Sequence, residues 1–391
     1  MNRESIHYKI QECNKLKLYL FSIVVFLTFL SSACLKQFIP ETAESKNLLV
    51  IEGLITDQNE AYKVKLSRSQ SLGLKFEILP VTGANVTVSD DLGNYFTFAE
   101  KDSGVYLSDS TIFRGETGRK YLLHIRASDS YGVSSDYESV PVEMKSVPPI
   151  DSIYYQKIPI RKAEHFYESL DNCQIFLDTH DAKGECRYFR WDFTETWEFH
   201  LHYNLPNYTC WISKKSENII IKNTSGLASD NIIRFPLNYI PETSDRLEVK
   251  YSINVNQYSL SQEEYSYWEK LKLFSQDVGG LYDMIPADVN GNISCLTRPG
   301  DKVLGYFSVS AKRSQRLFIK DSFAGQINIY KDCASQRIDN PGEIPGLGSW
   351  LWIIESSAFS VPPYVVLTSD KGCADCTVRG SINKPAFWED N

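Results

Sequence analysis

From Trp191 to Tyr203 the chain alternates between apolar and polar side chains. Trp191, Phe193, Trp197, Phe199, Leu201 and Tyr203 fall on one face, with Asp192, Thr194, Thr196, Glu198, His200 and His202 on the other. A period of two over this length fits an extended strand with one buried face, because successive side chains of a strand point to opposite sides. Leu247, Val249, Tyr251, Ile253 and Val255 repeat the pattern, interleaved with Arg246, Glu248, Lys250, Ser252, Asn254 and Asn256. Earlier in the chain, LLVIEGLIT, AYKVKLSRS, ANVTVSD, NYFTFAE, GVYLSD, RKYLLHIRA and GVSSDYESV form short β runs separated by Gly, Asp, Asn and Ser clusters. Such spacing is typical of a sandwich. The turn Asp91-Leu92-Gly93-Asn94 between two alternating runs predicts a hairpin near residue 92. Only residues 261–275, with Tyr265, Trp268, Leu271 and Leu273 near helical spacing and Ser261 placed to cap, read as a helix.

The fold expectation is therefore all-β, with residues 47–143 as one sandwich and residues 151–391 as a larger β-rich domain carrying one short helix. Two consecutive prolines in Val147-Pro148-Pro149-Ile150 mark residues 144–150 as the linker, since proline cannot donate to a β ladder. Residues 1–33 read as a lipoprotein signal peptide: Arg3, Lys9, Lys15 and Lys17 precede the apolar run Leu18 to Leu30, which is too short to span a bilayer comfortably. Small residues then lead into Cys34 in Leu30-Ser31-Ser32-Ala33-Cys34, which resembles the lipobox of bacterial lipoproteins. Cys34 is the expected lipidation site, residues 34–46 are the tether, and the membrane is reached through acyl chains.

Cleavage there leaves 37 basic against 47 acidic residues, a net charge of −10 with mixed signs throughout, which argues against nucleic acid as a partner. Seven cysteines follow: Cys173, Cys186, Cys210, Cys295, Cys333, Cys373 and Cys376. In an oxidising envelope compartment they are disulfide candidates, with one left over and the connectivity open.

PVTGANVTVSDDLGNYFTFAEKDSGVYLSD followed by GRKYLLHI resembles the Ig/transthyretin-like and carboxypeptidase-regulatory-like Greek-key sandwiches, which serve mostly as spacers and interaction modules. VIEGLITD, VPPIDSIYY, Arg190-Trp191, YSINVNQYSLSQEEYSYW, GNISC, VLGYFSVS, CADC and KPAFW, in that order after the lipobox, resemble the Bacteroidota outer-membrane lipoprotein family called domain of unknown function 4249. That resemblance implies the cell envelope, with a lipid anchor in the outer membrane on its periplasmic or surface side. It also implies frequent association with TonB-dependent receptors, and no assigned activity.

The residues offer little catalytic chemistry. Cys373-Ala374-Asp375-Cys376 could be a redox pair, half a zinc site or a structural staple; with no second half-site and no βαβ context, a staple is favoured. His200 and His202 with Glu198 beside them, and Asp178-Thr179-His180-Asp181, could each offer metal ligands, but a solvated strand face and an ordinary polar turn are the favoured readings, since a metal site needs three or four converging ligands. The sequence contains no G-x-S-x-G, H-E-x-x-H, Walker or G-x-G-x-x-G motif. No cofactor or metal is expected. Trp350 and Trp352, which follow the loop NPGEIPGLGS, are the candidate ligand or partner loop.

The expected function is a non-catalytic binding or accessory subunit acting with a TonB-dependent receptor in nutrient uptake, its ligand unnamed. The alternative is a surface hydrolase acting on an extracellular polymer such as a glycan, its two carboxylates hidden among the many acidic residues. Cys34→Ala should abolish palmitate labelling and release the protein from membranes; a mutant that still takes up label would refute the anchor.

Overall fold

The computed structural model describes residues 48–69, 79–129, 132–161, 169–203, 205–227, 229–276, 289–324, 333–339 and 352–389. Cys34, Trp350 and the loop 341–349 lie outside them. The fold is all-β with several sheets and, among the described residues, one helix longer than a single turn, Gln262–Gln276.

Alternation in the sequence becomes alternation of burial. In Lys120–Ser128, Tyr121, Leu123, Ile125 and Ala127 face inward, and in Leu49–Ile55 every second residue is buried. The expected hairpin is present: Asn85–Asp90 pairs antiparallel with Tyr95–Asp102, Gly93 has φ +84°, and Asp90 Oδ1 accepts from Leu92 N and Asn94 N at 2.9 Å each.

The first sheet does not consist of residues 47–143 alone. Its strand order is Ile293–Cys295, Ser134–Ser139, Lys120–Ser128, Asn85–Asp90, Tyr95–Asp102, Val105–Leu107, Lys63–Arg68, Leu49–Ile55, Val303–Val309. Both ends are thus filled by two neighbouring strands that arrive from beyond residue 290. Val303–Val309 runs parallel to Leu49–Ile55, opposing Gly305 to Ile51.

The close fit at that seam requires glycine. A Cβ on Gly305 would lie 1.9 Å from the Ile51 carbonyl oxygen, and its φ of +93° is a region that L side chains rarely adopt. A Cβ on Gly291 would lie 1.8 Å from the Gly305 oxygen. Next to it, Asn292 acts like a peptide unit turned sideways: its Nδ2 donates to Phe307 O, and its Oδ1 accepts from Phe307 N, both at 2.9 Å. Its own carbonyl accepts from Val140 N at 2.8 Å, so one residue ties the two ends of the sheet together.

Ile150–Arg161, Ser169–His180 and Asn231–Ile240 form a three-stranded antiparallel sheet. Tyr188–His200 is the centre of a five-stranded sheet, flanked by Thr209–Lys215 and Ile220–Asn223 on one edge and by Lys250–Ser259, then Lys312–Ile319, on the other. Between the two sheets Trp191, 1% exposed, stacks near Phe235 with centroids 4.7 Å apart and donates from Nε1 to Gln257 Oε1 at 2.8 Å. Gln257 Nε2 in turn lies 3.1 Å from Thr179 Oγ1 and 2.9 Å from Pro148 O.

The segment expected as a linker is therefore part of the core. Met144 and Val147 are buried, and the carbonyls of Lys145, Pro148 and Pro149 accept side-chain hydrogen bonds from Ser259, Gln257 and Thr179. One continuous apolar cluster runs from Leu49 to Cys376 through both sandwiches. A second crossing is made at residues 310–311, where Val303–Val309 of one sheet continues into Lys312–Ile319 of another.

Toward the C-terminus, Ser335–Asp339, Tyr364–Thr368 and Trp352–Ser357 make a small sheet. Cys333 is bonded to Cys373, and Cys210 to Cys376. The two cysteines of the C-x-x-C motif thus reach separate partners, because the helical turn Lys371–Ala374 and the 3-10 turn Cys376–Val378 flank an extended Asp375. The other three disulfide candidates, Cys173, Cys186 and Cys295, form no disulfide and are buried free thiols, so three of the seven stay unpaired where one was expected. Burial pushes the Cys173 and Cys186 thiols up to about 12, which removes the reactive thiolate at neutral pH.

Asn292→Ala should cost about 1–3 kcal/mol of unfolding free energy, since it strands a buried donor and acceptor on Phe307. Urea titration is the check, and a loss within measurement error would contradict the tie. Closing a loop of 40 residues by Cys333–Cys373 removes about 4 kcal/mol of chain entropy from the unfolded state. Reduction should therefore lower the melting temperature, and an unchanged melting curve under reductant would count against that contribution.

Candidate functional site at the junction of the two sandwiches

Four segments far apart in the chain meet where the sandwiches join. Leu49–Ile55 and Val303–Val309 supply one wall, the helix Gln262–Gln276 a second, and the outer face of Tyr188–His200 a third. They enclose a cavity of about 620 Å³, within the roughly 300–1,000 Å³ usual for small-molecule sites. Its lining is largely apolar and aromatic, with Tyr267, Trp268 and Tyr306 prominent, and Arg190, Asp192, Glu52 and Lys63 bring charge to it. Tyr267, Val289 and Tyr306 form an apolar cluster separate from the main core.

Arg190 is placed there by strand alternation: Trp191 points into the inter-sheet core, so its neighbour points out. The guanidinium carbon lies 4.7 Å from the Tyr258 ring centroid and 4.7 Å from that of Trp268. Two rings thus hold the cation, a contact worth about 0.5–2 kcal/mol. Its Nε is buried and has no hydrogen-bond partner among the described residues.

Glu264 lies behind Trp268 and Ser308, 0% exposed. Ser261 caps the helix by accepting from Glu264 N at 3.1 Å, which sets the first turn. The Glu264 Oε1 accepts from Ser308 Oγ at 2.6 Å and from Trp268 Nε1 at 3.2 Å, while Oε2 has no partner among the described residues. Loss of hydration pushes the Glu264 carboxyl above the usual range, with the nearby Arg190 charge opposing. Burial likewise pushes the Tyr267 phenol up to about 12, keeping it protonated at neutral pH.

These groups include one hydroxyl hydrogen-bonded to a carboxyl, Ser308 on Glu264, and both are buried. They offer a fixed guanidinium, neutral hydroxyls and an apolar hollow, which is the equipment of recognition. Among the described residues no group of three or more His, Cys, Asp or Glu side chains is arranged to hold a metal ion.

The sequence-derived candidates lie elsewhere. His200 Nε2 is 2.8 Å from Glu198 Oε1, but the second Glu198 oxygen accepts from Trp388 Nε1 at 3.1 Å, and His202 packs edge-on to Tyr203. His180 pairs with Asp151 at 2.7 Å, and Asp181 accepts from Lys183 N and Cys186 N to fix a turn. Trp352 opens a strand of the small C-terminal sheet, half-buried. Sequence reading passed over Arg190 and Glu264 as candidates, although both sit inside the quoted segments Arg190-Trp191 and SQEEYSYW. The signal available was a cation beside a tryptophan and a double glutamate at a helix start, and neither is specific.

No curated protein matches this chain. A family model described as Domain of unknown function (DUF4249) matches residues 36–316, about seven-tenths of the chain and all of the cavity, with CADC and KPAFW beyond its end. The chain belongs to the DUF4249 family.

Proposed function

We propose that this protein is an outer-membrane-anchored lipoprotein that works as a non-catalytic binding subunit, an accessory to a TonB-dependent receptor. The observation that carries the reading is the tip of the hairpin between Trp352–Ser357 and Tyr364–Thr368, where Phe359 and Val361 are each 99% exposed. Two large apolar side chains held out together on a soluble protein mark a contact surface. The tip is held in shape: Ser360 N donates to Ser357 Oγ at 3.2 Å, and Ser360 Oγ donates to Pro362 O at 2.8 Å. A loop already ordered loses less entropy on docking.

Anchoring rests on the lipobox-like run ending at Cys34. The small C-terminal sheet, held by Cys333–Cys373 and Cys210–Cys376, supports the tip on a stapled base.

Tagged protein gently extracted from outer membranes should co-purify with a TonB-dependent receptor. Replacing Phe359 and Val361 together by Ser should reduce that recovery about tenfold or more without moving the melting temperature, as expected for anchor residues of an interface. Recovery of the unaltered protein as a lone monomer from native membranes, or turnover of a glycan by the pure protein, would overturn the reading.

A further inference from the structure

We propose that the cavity at Arg190 binds a small carboxylate with an apolar, preferably aromatic, body, the carboxylate pairing with the Arg190 guanidinium and the body lying in the hollow lined by Trp268, Tyr267 and Tyr306. Binding here needs no receptor, so the inference stands apart from the docking tip at Phe359 and Val361.

Three observations converge on this ligand class. First, the Arg190 guanidinium has no hydrogen-bonded anion among the described residues. It makes no hydrogen bond to another described residue, and its Nε is buried without a partner. A guanidinium presents a planar fork of donors that fits a carboxylate two bonds at a time. Leaving it without an acceptor in a partly dehydrated place is costly, and a bound carboxylate relieves that cost.

Second, none of the nearby described acids is hydrogen-bonded to Arg190. Glu264 is wholly buried with one oxygen engaged by Ser308 and Trp268, and burial pushes its carboxyl above the usual range. Asp192 lies on the same strand face but accepts from Asn256 Nδ2 at 2.7 Å. Glu52 lies on the opposite wall, where Lys63 also lines the cavity.

Third, the space beside Arg190 is the wrong kind for a sugar or a polyanion. A sugar asks for many hydrogen-bonding groups and a polyanion for several cations, whereas Val50, Leu54, Leu271 and Leu304 line much of this cavity. Tyr267 and Tyr306 face each other with centroids 4.8 Å apart, and Tyr267 meets Trp268 at 5.4 Å, edge-on. Rings packed on one another in this way form one continuous aromatic side of the cavity, against which an aryl group can pack.

Indole-3-acetate and decanoate are the probes, with indole-3-ethanol as the uncharged twin of the first, each titrated by calorimetry into the full mature chain up to about 1 mM, the weak end of specific binding. Indole-3-acetate should bind roughly 10- to 100-fold tighter than indole-3-ethanol, the ratio expected for a charge-assisted pair of hydrogen bonds. Arg190→Gln should erase that preference while leaving the alcohol's affinity unchanged. Leu271→Trp, which fills the hollow from the helix side without touching Arg190, should abolish binding of both. Circular dichroism and melting curves of each variant separate loss of the site from loss of the fold. Equal affinity of acid and alcohol for the unaltered protein, unchanged preference in a folded Arg190→Gln variant, or no binding of either carboxylate would overturn the proposal.

Discussion

The return of the chain through residues 291–311 governs the architecture. Val303–Val309 lies parallel against Leu49–Ile55, roughly 250 positions earlier, and the fit leaves no room for side chains at Gly291 and Gly305. A parallel pair needs a long crossover, and here the crossover is most of the protein. Since the same stretch runs on into Lys312–Ile319 of the second sandwich, neither sandwich is complete without the other. Polar contacts reinforce the joint: Asp57 accepts from Lys312 N at 2.8 Å and pairs with Arg313 at 2.6 Å, so its carboxyl is held below the usual range even though partial burial works the other way.

That arrangement explains what the sequence could and could not reveal. Local signals were legible: alternation found the strand Tyr188–His200, Gly93 marked its hairpin, and Ser261 marked the start of the helix. The boundary at Pro148-Pro149 was legible as two prolines but misleading as a linker, because proline keeps its carbonyl, and those carbonyls are acceptors in a buried network. No local pattern announces that Ile293–Cys295 and Val303–Val309 belong with strands from before residue 140, since periodicity speaks of faces and not of neighbours. Cysteine pairing was illegible for the same reason: Cys376 finds Cys210 across 166 positions.

Glu195 shows how tertiary context overrides a pattern. By parity it belongs to the apolar face of Tyr188–His200, and the structure puts it there, buried between the sheets. Arg246 Nη1 reaches both its oxygens at 3.0 and 2.7 Å, while the Tyr251 hydroxyl donates at 3.0 Å and Asn238 Nδ2 at 3.3 Å. Burial, with the negative Glu195 beside it, raises the Tyr251 phenol well above its ordinary range. Arg246 is free to make this contact because the strand expected from residue 246 begins only at Lys250, and the preceding residues turn inward. Removing one partner of such a buried pair typically costs about 3–5 kcal/mol, whereas replacing both by apolar groups is often neutral, so the network gives specificity of sheet packing more than net stability.

The cavity at Arg190 depends on the same closure through a short chain of contacts. When Val303–Val309 takes its place beside Leu49–Ile55, Ser308 comes within 2.6 Å of Glu264. Glu264 then holds the Trp268 indole one helical turn away at 3.2 Å, and Trp268 with Tyr258 fixes the Arg190 guanidinium between two rings. Each group in the series is positioned by the one before it, and the first is positioned by the sheet. A cation set up in this way, with its rotamer settled before any ligand arrives, retains most of its intrinsic pairing energy on binding. The seam that makes the two sandwiches one core is therefore also what orders the site, and loosening at Gly305 or Asn292 would reach Arg190 through Ser308.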